Sequence, residues 1–483
     1  MIRDEHVEIP QARRAVPGGL RITDRHWEQL RAHLLSDRNE HAALLMCGVS
    51  RRPDRVDFLV RSVVELTAED YLDSGELHLS ISPRSLARHV KRARADGATL
   101  VLCHSHPFPG QVLASPIDLA TELELCGRVF PGRLAGLPTA ALIVGPDGLD
   151  GRVWDRAASP LTHVTVIGSR IECLPSNSCG ISDSTDTEDG LQDTDTSDAT
   201  TVRQALLWGD AGQRLLRRAH VAVIGCGGTG SHAVTQLAHL RIGAMTLVDH
   251  DVVEISNLSR LVGAVPTDVG CRKVDVLADH ARGINPSVQV VAHGVSVLDV
   301  DPHALLEADV IVCATDGHGS RALLTEIAQQ YLIPIVDLGV EVDPSSDAFR
   351  AGGGVRVLRP GRGCLHCSRT LSPALVREEY LDDEQRHVEV QRGYIRGEAA
   401  PAPSVVALNG VVASLAVLEV CQLLVGMLGD GRDRLLYRAE SRALSTASMP
   451  SDSDCYVCGA DGLLGMGDAR PLPTRWHPAA EAV

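Results

Sequence analysis

Aromatic side chains are scarce in this 483-residue sequence, at 3% of residues. Positive charge is also in deficit, because 62 acidic residues outnumber 46 Lys and Arg and leave a formal net charge of −16. So acidic a chain is a poor match for nucleic acid or for an anionic membrane, and we expect neither as a partner. The scarcity of aromatics does not exclude a packed core, since hydrophobic residues still make up 44% of the chain.

Targeting and membrane segments are missing from the pattern as well. Residues 1–10 are charged and no apolar stretch follows them, so no signal peptide is predicted. The longest apolar stretch, 405–428, contains Asn409, Glu419 and Gln422, and therefore predicts a buried helix rather than a membrane span. The 13 cysteines lie mostly in apolar runs or in Cys-x-x-Cys pairs, which fits a reducing compartment. The expected location is the cytoplasm.

Basic and apolar side chains are both depleted in residues 174–200, which hold seven acidic residues and no Lys or Arg. Such a stretch cannot bury enough apolar surface to order itself, so it predicts a flexible acidic linker. An acidic docking segment for a partner is the alternative. The linker divides the chain into domains at 20–158 and 201–462, and the Gly- and Pro-rich end, 463–483, is predicted to be a disordered tail.

A nucleotide-binding pattern is present at residues 220–260. An apolar strand at 221–224 runs into a G-x-G-x-x-G loop and then a predicted helix at 231–241. Such a loop lets backbone N–H groups approach a phosphate at a helix N-terminus. A second strand at 245–248 ends at Asp249, where an acid can accept hydrogen bonds from a ribose. The loop glycines are Gly225, Gly227, Gly228 and Gly230.

Charged residues beyond this loop separate an adenylating enzyme from a dehydrogenase, which the glycine pattern alone would fit equally well. Arg260 and Lys273 follow the second strand, and Asp316 follows an apolar strand at 310–314. Arg and Lys would stabilise the charge that gathers on an attacked α-phosphate and on leaving pyrophosphate, while the acid would hold Mg²⁺. A dehydrogenase has little use for this set, so we predict adenylation.

Residues 200–460 resemble the ThiF-like and ubiquitin-activating enzymes, which adenylate the C-terminal glycine of a ubiquitin-like protein. The motifs that carry the resemblance are Arg203-Gln204, Gly212-Gln213, the glycine loop, Asp249-x-Asp251, Asn257-x-x-Arg260, Lys273, Ile284-Asn285-Pro286, Asp316 and Arg321.

The resemblance implies a role in ATP binding for several side chains. Asp249 is expected on the ribose and Asp316 on Mg²⁺. The side chains expected around the phosphates are Asp251, Asn257, Arg260 and Lys273. Arg203 is expected to reach the ATP of the second protomer in a homodimer. Leu261 and Gly317 depart from the Gln and Asn that the family usually has there.

Two Cys-x-x-Cys pairs lie in the same half of the chain. Cys364 with Cys367, and Cys455 with Cys458, would each present two thiolates to one tetrahedral zinc, with a redox-active disulfide as the alternative. The resemblance supports a structural zinc at these places. In ubiquitin-activating relatives the segment corresponding to 371–403 can carry a catalytic cysteine, and here it has none. The adenylate is therefore expected to pass to a thiol or sulfide of another protein.

A second metal-binding pattern lies in the first part of the chain. His104, His106 and Asp118 offer Zn²⁺ two imidazoles and a carboxylate, and leave one position for a water whose pKa the metal would lower. Glu40 is the expected base for that water. Ser115 is the expected hydrogen-bond donor to the tetrahedral oxyanion.

This order of Glu, His-x-His and Ser-x-x-Asp resembles the JAMM (MPN+/JAB) metallopeptidases over residues 20–158. Members cleave peptide or isopeptide bonds at the C-terminus of ubiquitin-like proteins. The resemblance implies an active zinc peptidase, with one catalytic zinc beside the structural zinc of the other half.

The two resemblances predict an α/β fusion, in which a JAMM-type α/β domain is joined by an acidic linker to a Rossmann-like ThiF adenylation domain with structural zinc. The peptidase would free the C-terminal glycine of a modifier, and the second half would adenylate it with ATP and Mg²⁺. The expected partners are a ubiquitin-like or sulfur-carrier protein, an acceptor thiol protein and a second copy of the chain. The alternatives are sulfur transfer through a thiocarboxylate for cofactor or cysteine synthesis, and a scaffold that binds the modifier without turnover.

Overall fold

The structure is a computed structural model, and it describes residues 16–76, 78–155, 157–179, 199–343, 350–392, 403–429 and 432–476. Contacts between residues divide the chain into two compact units. The first is built mainly from residues 26–164, and the second mainly from the part that follows residue 198.

The elements before residue 180 form a mixed sheet with helices packed on it. The strands of this part of the chain are β1 (Gly18–Thr23), β2 (Ala42–Arg51), β3 (Val56–Glu65), β4 (Tyr71–Gly75), β5 (His78–Ile81), β6 (Thr99–Ser105), β7 (Thr139–Val144), β8 (Leu149–Asp155), β9 (Ala157–Ile167) and β10 (Ile171–Pro175). Its helices are α1 (Asp24–Leu34), α2 (Pro83–Ala95), α3 (Pro116–Glu124) and α4 (Phe130–Arg133). A π-helical turn, Leu125–Val129, joins α3 to α4.

The strand order is β1-β3-β2-β6-β7-β8-β9-β10, and β1 also pairs with β9, so that the sheet closes on itself. Strands β4 and β5 form a separate hairpin. The apolar sides of α2 and α4 cover β6, with Leu86, Val90 and Phe130 buried against Leu100 and Leu102. This packing places the end of β6, where His104 lies, beside the helical layer.

The elements of the second unit form an eight-stranded sheet. Its strands are β11 (His220–Ile224), β12 (Ala244–Val248), β13 (Gln289–His293), β14 (Val310–Cys313), β15 (Ile335–Asp343), β16 (Arg350–Leu358), β17 (Arg434–Arg438) and β18 (Ala443–Ala447). Its helices are α5 (Val202–Arg218), α6 (Gly228–His239), α7 (Lys273–Ile284), α8 (His303–Leu306), α9 (His318–Gln330), α10 (Pro373–Tyr380), α11 (Asp383–Gln391) and α12 (Val406–Val425).

The strand order of this sheet is β13-β12-β11-β14-β15-β16-β17-β18. The strands from β13 to β15 are parallel, whereas β15 to β18 pair antiparallel. The carboxyl ends of parallel strands meet at one edge of a sheet, which is where ligands bind in such folds. The glycine loop after β11, Asp249 after β12 and Asp316 after β14 therefore share that edge, as the sequence pattern predicts.

Helix α12 is the apolar stretch that the sequence predicts to be buried. Its residues Val412, Ala416 and Val420 are buried in the core of the second unit together with Val223 and Leu247 of the sheet. It is the one helix among the described residues that has the length and hydropathy of a membrane span, and 61% of its most apolar window is buried within the protein. The prediction of a buried helix is confirmed.

Several predicted boundaries are corrected. Helix α6 begins at Gly228 rather than at residue 231, because the last glycines of the loop already belong to its first turn. Ser-Pro at residues 82–83 is a typical helix start, and Ser82 occupies the N-cap position of α2, but its side chain makes no capping hydrogen bond. The charged segment that begins at residue 371 contains two helices, α10 and α11, and its residues 393–402 lie outside the described part.

The predicted linker and tail are also shorter than the composition suggests. The first residues of the predicted linker, 174–179, end β10 and form a 3₁₀ turn, so the linker prediction is wrong for them. Residues 180–198 of the predicted linker lie outside the described part of the chain. The tail prediction is wrong for 463–476. The Gly465 and Gly467 amides donate to the Gln329 and Gln330 carbonyls, and Leu463 is fully buried.

Candidate functional site

The glycine loop after β11 is tightly folded against the end of β14. Gly225 has a φ of 94°, and a Cβ placed on it would lie 2.7 Å from the Ala314 carbonyl. A Cβ on Gly230 would lie 1.9 Å from the Gly225 carbonyl oxygen. Only glycine fits at both positions, because one needs left-handed backbone and the other a close approach. The loop can therefore bring backbone N–H groups at the start of α6 toward a phosphate.

Asp249 ties this loop to the next strand. One of its carboxylate oxygens accepts a hydrogen bond from the Cys226 N–H at 2.6 Å, and the other accepts from the Asp251 N–H at 2.8 Å. A carboxylate oxygen can accept more than one hydrogen bond, so the predicted ribose role stays compatible with these contacts. Asp249 thus also holds the glycine loop in place, which the sequence pattern did not indicate.

Asp251 and Lys273 form an ion pair at the same edge of the sheet. The Lys273 Nζ lies 2.7 Å from Asp251 Oδ2, and Lys273 is buried at the start of α7. Burial alone would raise the pKa of Asp251, but the Lys273 ammonium lowers it below its ordinary value. The lysine therefore places its ammonium group at this edge. We call the edge that carries the glycine loop, Asp249, Lys273 and Asp316 the nucleotide edge.

Asn257 and Arg260 lie on the loop after β12. Asn257 is buried, and its Oδ1 accepts from the Glu254 N–H at 3.2 Å, so its side chain braces a 3₁₀ turn. The Arg260 guanidinium donates to the Ser256 carbonyl at 2.8 Å. A Cβ on Gly228 would lie 3.6 Å from Arg260 Cδ, which places the arginine stem beside the glycine loop. Leu261, where the family usually has Gln, is buried.

Asp316 is exposed at the end of β14, and the residues behind it are tightly paired. Arg321 donates to the Asp316 backbone carbonyl at 3.5 Å and to Asp337 Oδ1 at 2.9 Å. Arg356 donates to Asp337 Oδ2 at 2.9 Å, and Asp337 is fully buried. A buried carboxylate is stable only when paired, so Asp337 fixes the orientation of Arg321 below Asp316. The sequence pattern did not identify Asp337 or Arg356.

Glu379 of α10 is a further residue that the pattern missed. Its Oε2 accepts from the Ser320 N–H at 3.2 Å, in the first turn of α9, where a negative charge is favoured by the helix dipole. A Cβ on Gly317 would lie 2.6 Å from the same oxygen. Glycine at 317, where the family usually has Asn, therefore leaves room for the Glu379 carboxylate next to Asp316.

Arg203 lies on the exposed first part of α5, which precedes the glycine loop in the chain. The helix is interrupted at Gly209, whose φ is 72°. Next to Arg203, the side chains of Leu206 and Leu207 are exposed at 84% and 65%. The two adjacent leucines form a small exposed apolar patch beside Arg203.

The four cysteines of the two Cys-x-x-Cys pairs lie together. Cys364 Sγ is 3.7 Å from both Cys367 Sγ and Cys455 Sγ, and Cys367 Sγ is 3.5 Å from Cys458 Sγ. A disulfide needs about 2.05 Å, so these sulfurs are unbonded. Four ligands at the Zn–S distance of about 2.3 Å would be separated by about 3.8 Å in a tetrahedron, which this arrangement approaches. The cluster therefore fits a tetrahedral metal.

The charges in this cluster also fit a cation. A hydrogen bond from Cys458 lowers the pKa of the Cys364 thiol to about 5, which favours the thiolate form that binds metals. Burial and the adjacent Cys364 thiolate raise the pKa of Cys367 to about 11. A cation bound between the sulfurs would remove this repulsion and allow each to be a thiolate.

The first unit brings its predicted zinc ligands together. The Nε2 of His104 lies 3.3 Å from Asp118 Oδ1, and that of His106 lies 3.4 Å from Asp118 Oδ2. The ligand atoms of these three residues all fall within 4.8 Å of one another. The His104 Nε2 is buried and makes no well-aligned hydrogen bond among the described residues, although it lies within ion-pair distance of Asp118. An orphaned buried nitrogen aimed at a carboxylate fits a metal between them.

Glu40 and Ser115 line the same groove as these three ligands. Burial raises the pKa of Glu40, although the nearby His104 and His106 act in the opposite direction. Ser115 caps α3, because its Oγ accepts from the Asp118 N–H at 3.2 Å and its own N–H donates to Asp118 Oδ2 at 2.7 Å. Burial alone would raise the pKa of Asp118, but side-chain hydrogen bonds, one of them with Ser115, hold it well below its ordinary value, so the Ser115 hydroxyl faces the ligand cluster.

A buried network of ion pairs, which the sequence pattern missed, supports the loop before α3. Arg152 donates to both carboxylate oxygens of Glu122, at 2.6 and 2.7 Å, and to Asp150 at 2.9 Å. Asp150 in turn accepts from the Ala114 N–H at 2.8 Å, directly before Ser115. The network joins β8 to α3 and fixes the position of the cap residue.

Comparison with known proteins concerns the second half of the chain. A sequence profile described as the ThiF family matches residues 201–457. The SAMP-activating enzyme E1 of Haloferax volcanii is 30% identical over 263 residues, which are 54% of this chain and 87% of that protein. The sulfur carrier protein ThiS adenylyltransferase of Escherichia coli is 28% identical over 255 residues, 51% of this chain and 89% of that protein.

A third relative is longer. The adenylyltransferase and sulfurtransferase MOCS3 of Aedes aegypti is 28% identical over 253 residues, which are 52% of each chain. This chain therefore spans about half the length of that relative. The profile match contains all of the nucleotide-edge residues described above and three of the four cluster cysteines.

Proposed function

The chain belongs to the ThiF family, and on that basis we propose that its second half adenylates the C-terminal glycine of a ubiquitin-like or sulfur-carrier protein with ATP. The observation that carries the proposal is the shared edge of the sheet, where the glycine loop, the Asp251–Lys273 pair and Asp316 meet. The names of the relatives support it, since they describe enzymes that activate or adenylate such carriers.

The reaction would use these side chains in defined ways. A terminal carboxylate oxygen of the partner forms a bond to the α-phosphorus, and the bond from that phosphorus to the bridging oxygen breaks and releases pyrophosphate. The Lys273 ammonium and the Arg260 guanidinium would stabilise the charge that develops on the phosphates. Asp249 would orient the ribose, and Asp316 would hold Mg²⁺, which neutralises phosphate charge when bound.

We propose separately that the first half is a zinc peptidase that processes the same modifier. Zinc bound by the two histidines and Asp118 would supply Lewis-acid activation of a water molecule. Glu40 would accept the proton of the attacking water, and the Ser115 hydroxyl would donate to the carbonyl oxygen. The orphaned His104 nitrogen and the shared groove support this proposal.

The two activities have a natural order, because a carboxylate must be free before it can attack phosphorus. A linker between two sites raises the effective concentration of one near the other. The released adenylate would be consumed by a thiol of a conjugating protein or by sulfide, and the relatives support conjugation and sulfur transfer alike. Because residues 371–403 contain no cysteine, an acceptor thiol on another protein is favoured. A binding scaffold without turnover is the outcome if no pyrophosphate is exchanged.

The experiment for the adenylation proposal is ATP–pyrophosphate exchange with a panel of small β-grasp proteins that end in glycine. Exchange that depends on one particular partner would establish adenylation and identify the modifier class. Exchange with none of them, in a zinc-loaded and folded protein, would favour the scaffold.

We expect two zinc ions per chain, one at each metal-binding cluster. Replacing Cys364 by serine should lower the zinc content by one ion and lower the melting temperature, because structural zinc contributes to folding. The double substitution His104→Ala and His106→Ala should lower the content by the other ion. Metal analysis by mass spectrometry after dialysis measures both changes.

The control for this count is Cys271→Ser, since Cys271 is an exposed thiol outside both clusters. It should retain both zinc ions. Wild-type protein that holds no zinc after expression in zinc-supplemented medium would overturn the assignment.

We also propose that the exposed first part of α5 forms a homodimer interface that carries Arg203 to the ATP of the second protomer. Leu206→Asp with Leu207→Asp should convert the dimer to a monomer in sedimentation velocity, because each buried leucine contributes about 1.5–3 kcal/mol. Arg203→Ala should leave the dimer intact and lower exchange. Leu72→Asp, at a residue 68% exposed in the first unit, is the matched control. A wild-type monomer with full exchange activity would refute the proposal.

A further inference from the structure

The groove that contains the metal ligands of the first unit is larger than that cluster requires. Its volume is roughly 1560 Å³, whereas small-molecule pockets are about 300–1,000 Å³. It continues along α2 and along the π-helical turn and α4. Since Pro83 and Arg94 both line it, its flank along α2 is about 16 Å long at 1.5 Å per residue, enough for about five residues of extended peptide.

The middle of this groove is apolar and its α2 side is basic. Leu125 and Val129 of the turn line it, and the buried side chains of Leu86, Val90 and Phe130 lie beneath them. The basic residues of α2 are Arg84, Arg88, Lys91, Arg92 and Arg94, and the helix contains no acid. In a chain with a net charge of −16, so concentrated a positive charge is a local feature of this helix.

Only some of these cations face the groove without a partner. Arg88 pairs with Asp70 at 2.7 Å, and Arg92 lies 3.8 Å from Asp96. Three other basic residues line the groove and form no ion pair or side-chain hydrogen bond within the part of the chain that the structure describes. They are Lys91, Arg94 and Arg133.

The acids that line the groove do not balance these charges. Glu122 is neutralised by Arg152, and Glu124 lies 3.4 Å from Arg128. Asp118 is engaged by the two histidines of the metal cluster. Away from Glu40 and the metal ligands, the uncompensated charge of the groove is therefore positive.

We propose that this groove binds an extended, acidic segment of the modifier, whose Asp or Glu side chains pair with Lys91, Arg94 and Arg133. The inference rests on the proposed peptidase function, because it identifies the occupant as the chain that leads to the scissile glycine. Apolar side chains of that segment would lie on Leu125 and Val129. The peptidase half would then select modifiers by the charge of the residues before their C-terminal glycine.

The test is a binding comparison with three labelled eight-residue peptides that end in Gly-Gly and carry Glu, Gln or Lys at the four preceding positions. Binding is measured by fluorescence anisotropy with the full-length, zinc-loaded Glu40→Gln variant, so that the peptides are not cleaved during the measurement. The Glu peptide should bind about 5- to 10-fold tighter than the Gln peptide, since exposed ion pairs each contribute little and only three can form. The difference should shrink as salt is raised from 0.05 to about 0.5 M, because screening lengths shorten.

The chain offers a matched pair of charge reversals on one helix. Lys91→Glu with Arg94→Glu should abolish the preference for the Glu peptide, and adding Arg133→Glu should make the Lys peptide the better ligand. Arg84→Glu with Arg92→Glu carries the same change in net charge, but neither residue lines the groove, so the preference should persist. Equal affinity for the Glu and Gln peptides, or an equal loss in the control double variant, would overturn the proposal.

Cleavage is measured separately on modifier fusions with the wild-type chain, so the two proposals can fail independently. A charge preference without cleavage of any fusion would remove the peptidase function and leave the acidic ligand in place. Cleavage that does not depend on the charge of the tail would support the peptidase function and refute the acidic ligand.

Discussion

Replacing Asp316 by alanine is expected to lower ATP–pyrophosphate exchange by at least about 100-fold, comparable to the loss of a group that stabilises transition-state charge. Asp316 is exposed at the carboxyl end of β14, and the contact to Arg321 uses its backbone carbonyl rather than its side chain. The substitution therefore removes a carboxylate from the nucleotide edge without removing a structural bond. Thermal unfolding should be unchanged, and the partner protein should still bind.

The control for this variant is Asp279→Ala on α7, whose side chain is 82% exposed and pairs with Arg282 of the next turn. Exchange should stay at the wild-type rate, since a surface pair of this kind contributes little. An Asp316→Ala protein that retains exchange would show that another group holds Mg²⁺. The cluster of Asp249, His250 and Asp251 would then be the next candidate.

The sequence predicts the nucleotide edge well because its residues follow directly from local pattern. Each of Gly225, Asp249 and Asp316 comes at the end of a short apolar strand, and in a parallel sheet such ends meet. The two clusters of possible metal ligands are predicted for a similar reason, since Cys-x-x-Cys and His-x-His fix two side chains by spacing alone. In both cases the fold only has to bring a few short motifs together.

Residues that hold these motifs in place are not predictable in that way. Asp337 pairs with Arg321 of a helix and with Arg356 of the neighbouring strand, and nothing in the sequence near Asp337 indicates either partner. Asp150 and Arg152 were missed for the same reason, because their partners lie across the sheet in α3 and the loop before it. Pairing energies of this kind depend on burial, which the sequence pattern does not report.

Composition was misleading at the C-terminal end. Residues 463–476 are rich in Gly and Pro, which predicts disorder, yet Arg475 pairs with Asp299 and donates to the Glu379 carbonyl. Backbone and side-chain hydrogen bonds to fixed partners can order a segment that is rich in Gly and Pro. Because Glu379 also caps α9 beside Asp316, this segment braces the helix that borders the nucleotide edge.

Replacing Glu40 by glutamine should lower peptidase turnover by about 10²- to 10⁴-fold, the range of a lost general base, and leave ATP–pyrophosphate exchange unchanged. Glutamine keeps the size of the side chain and a carbonyl oxygen, so the groove and the zinc content should be preserved. Glu69→Gln is the matched control, because Glu69 is exposed in a 3₁₀ turn of the same unit and does not line the groove. Cleavage of a modifier fusion, followed by gel electrophoresis, measures the effect.

The Glu40 and Asp316 variants together test whether the chain holds two independent active sites. If the sites are separate, each substitution abolishes one activity and spares the other, and a mixture of the two variants processes and adenylates a precursor modifier. The mixture completes both reactions only if the processed modifier can leave one chain and bind to another. The rate of the mixture relative to wild type therefore measures the advantage of having both sites in one chain. If either substitution abolishes both activities in a protein that keeps its zinc and its melting temperature, the two-site proposal is wrong.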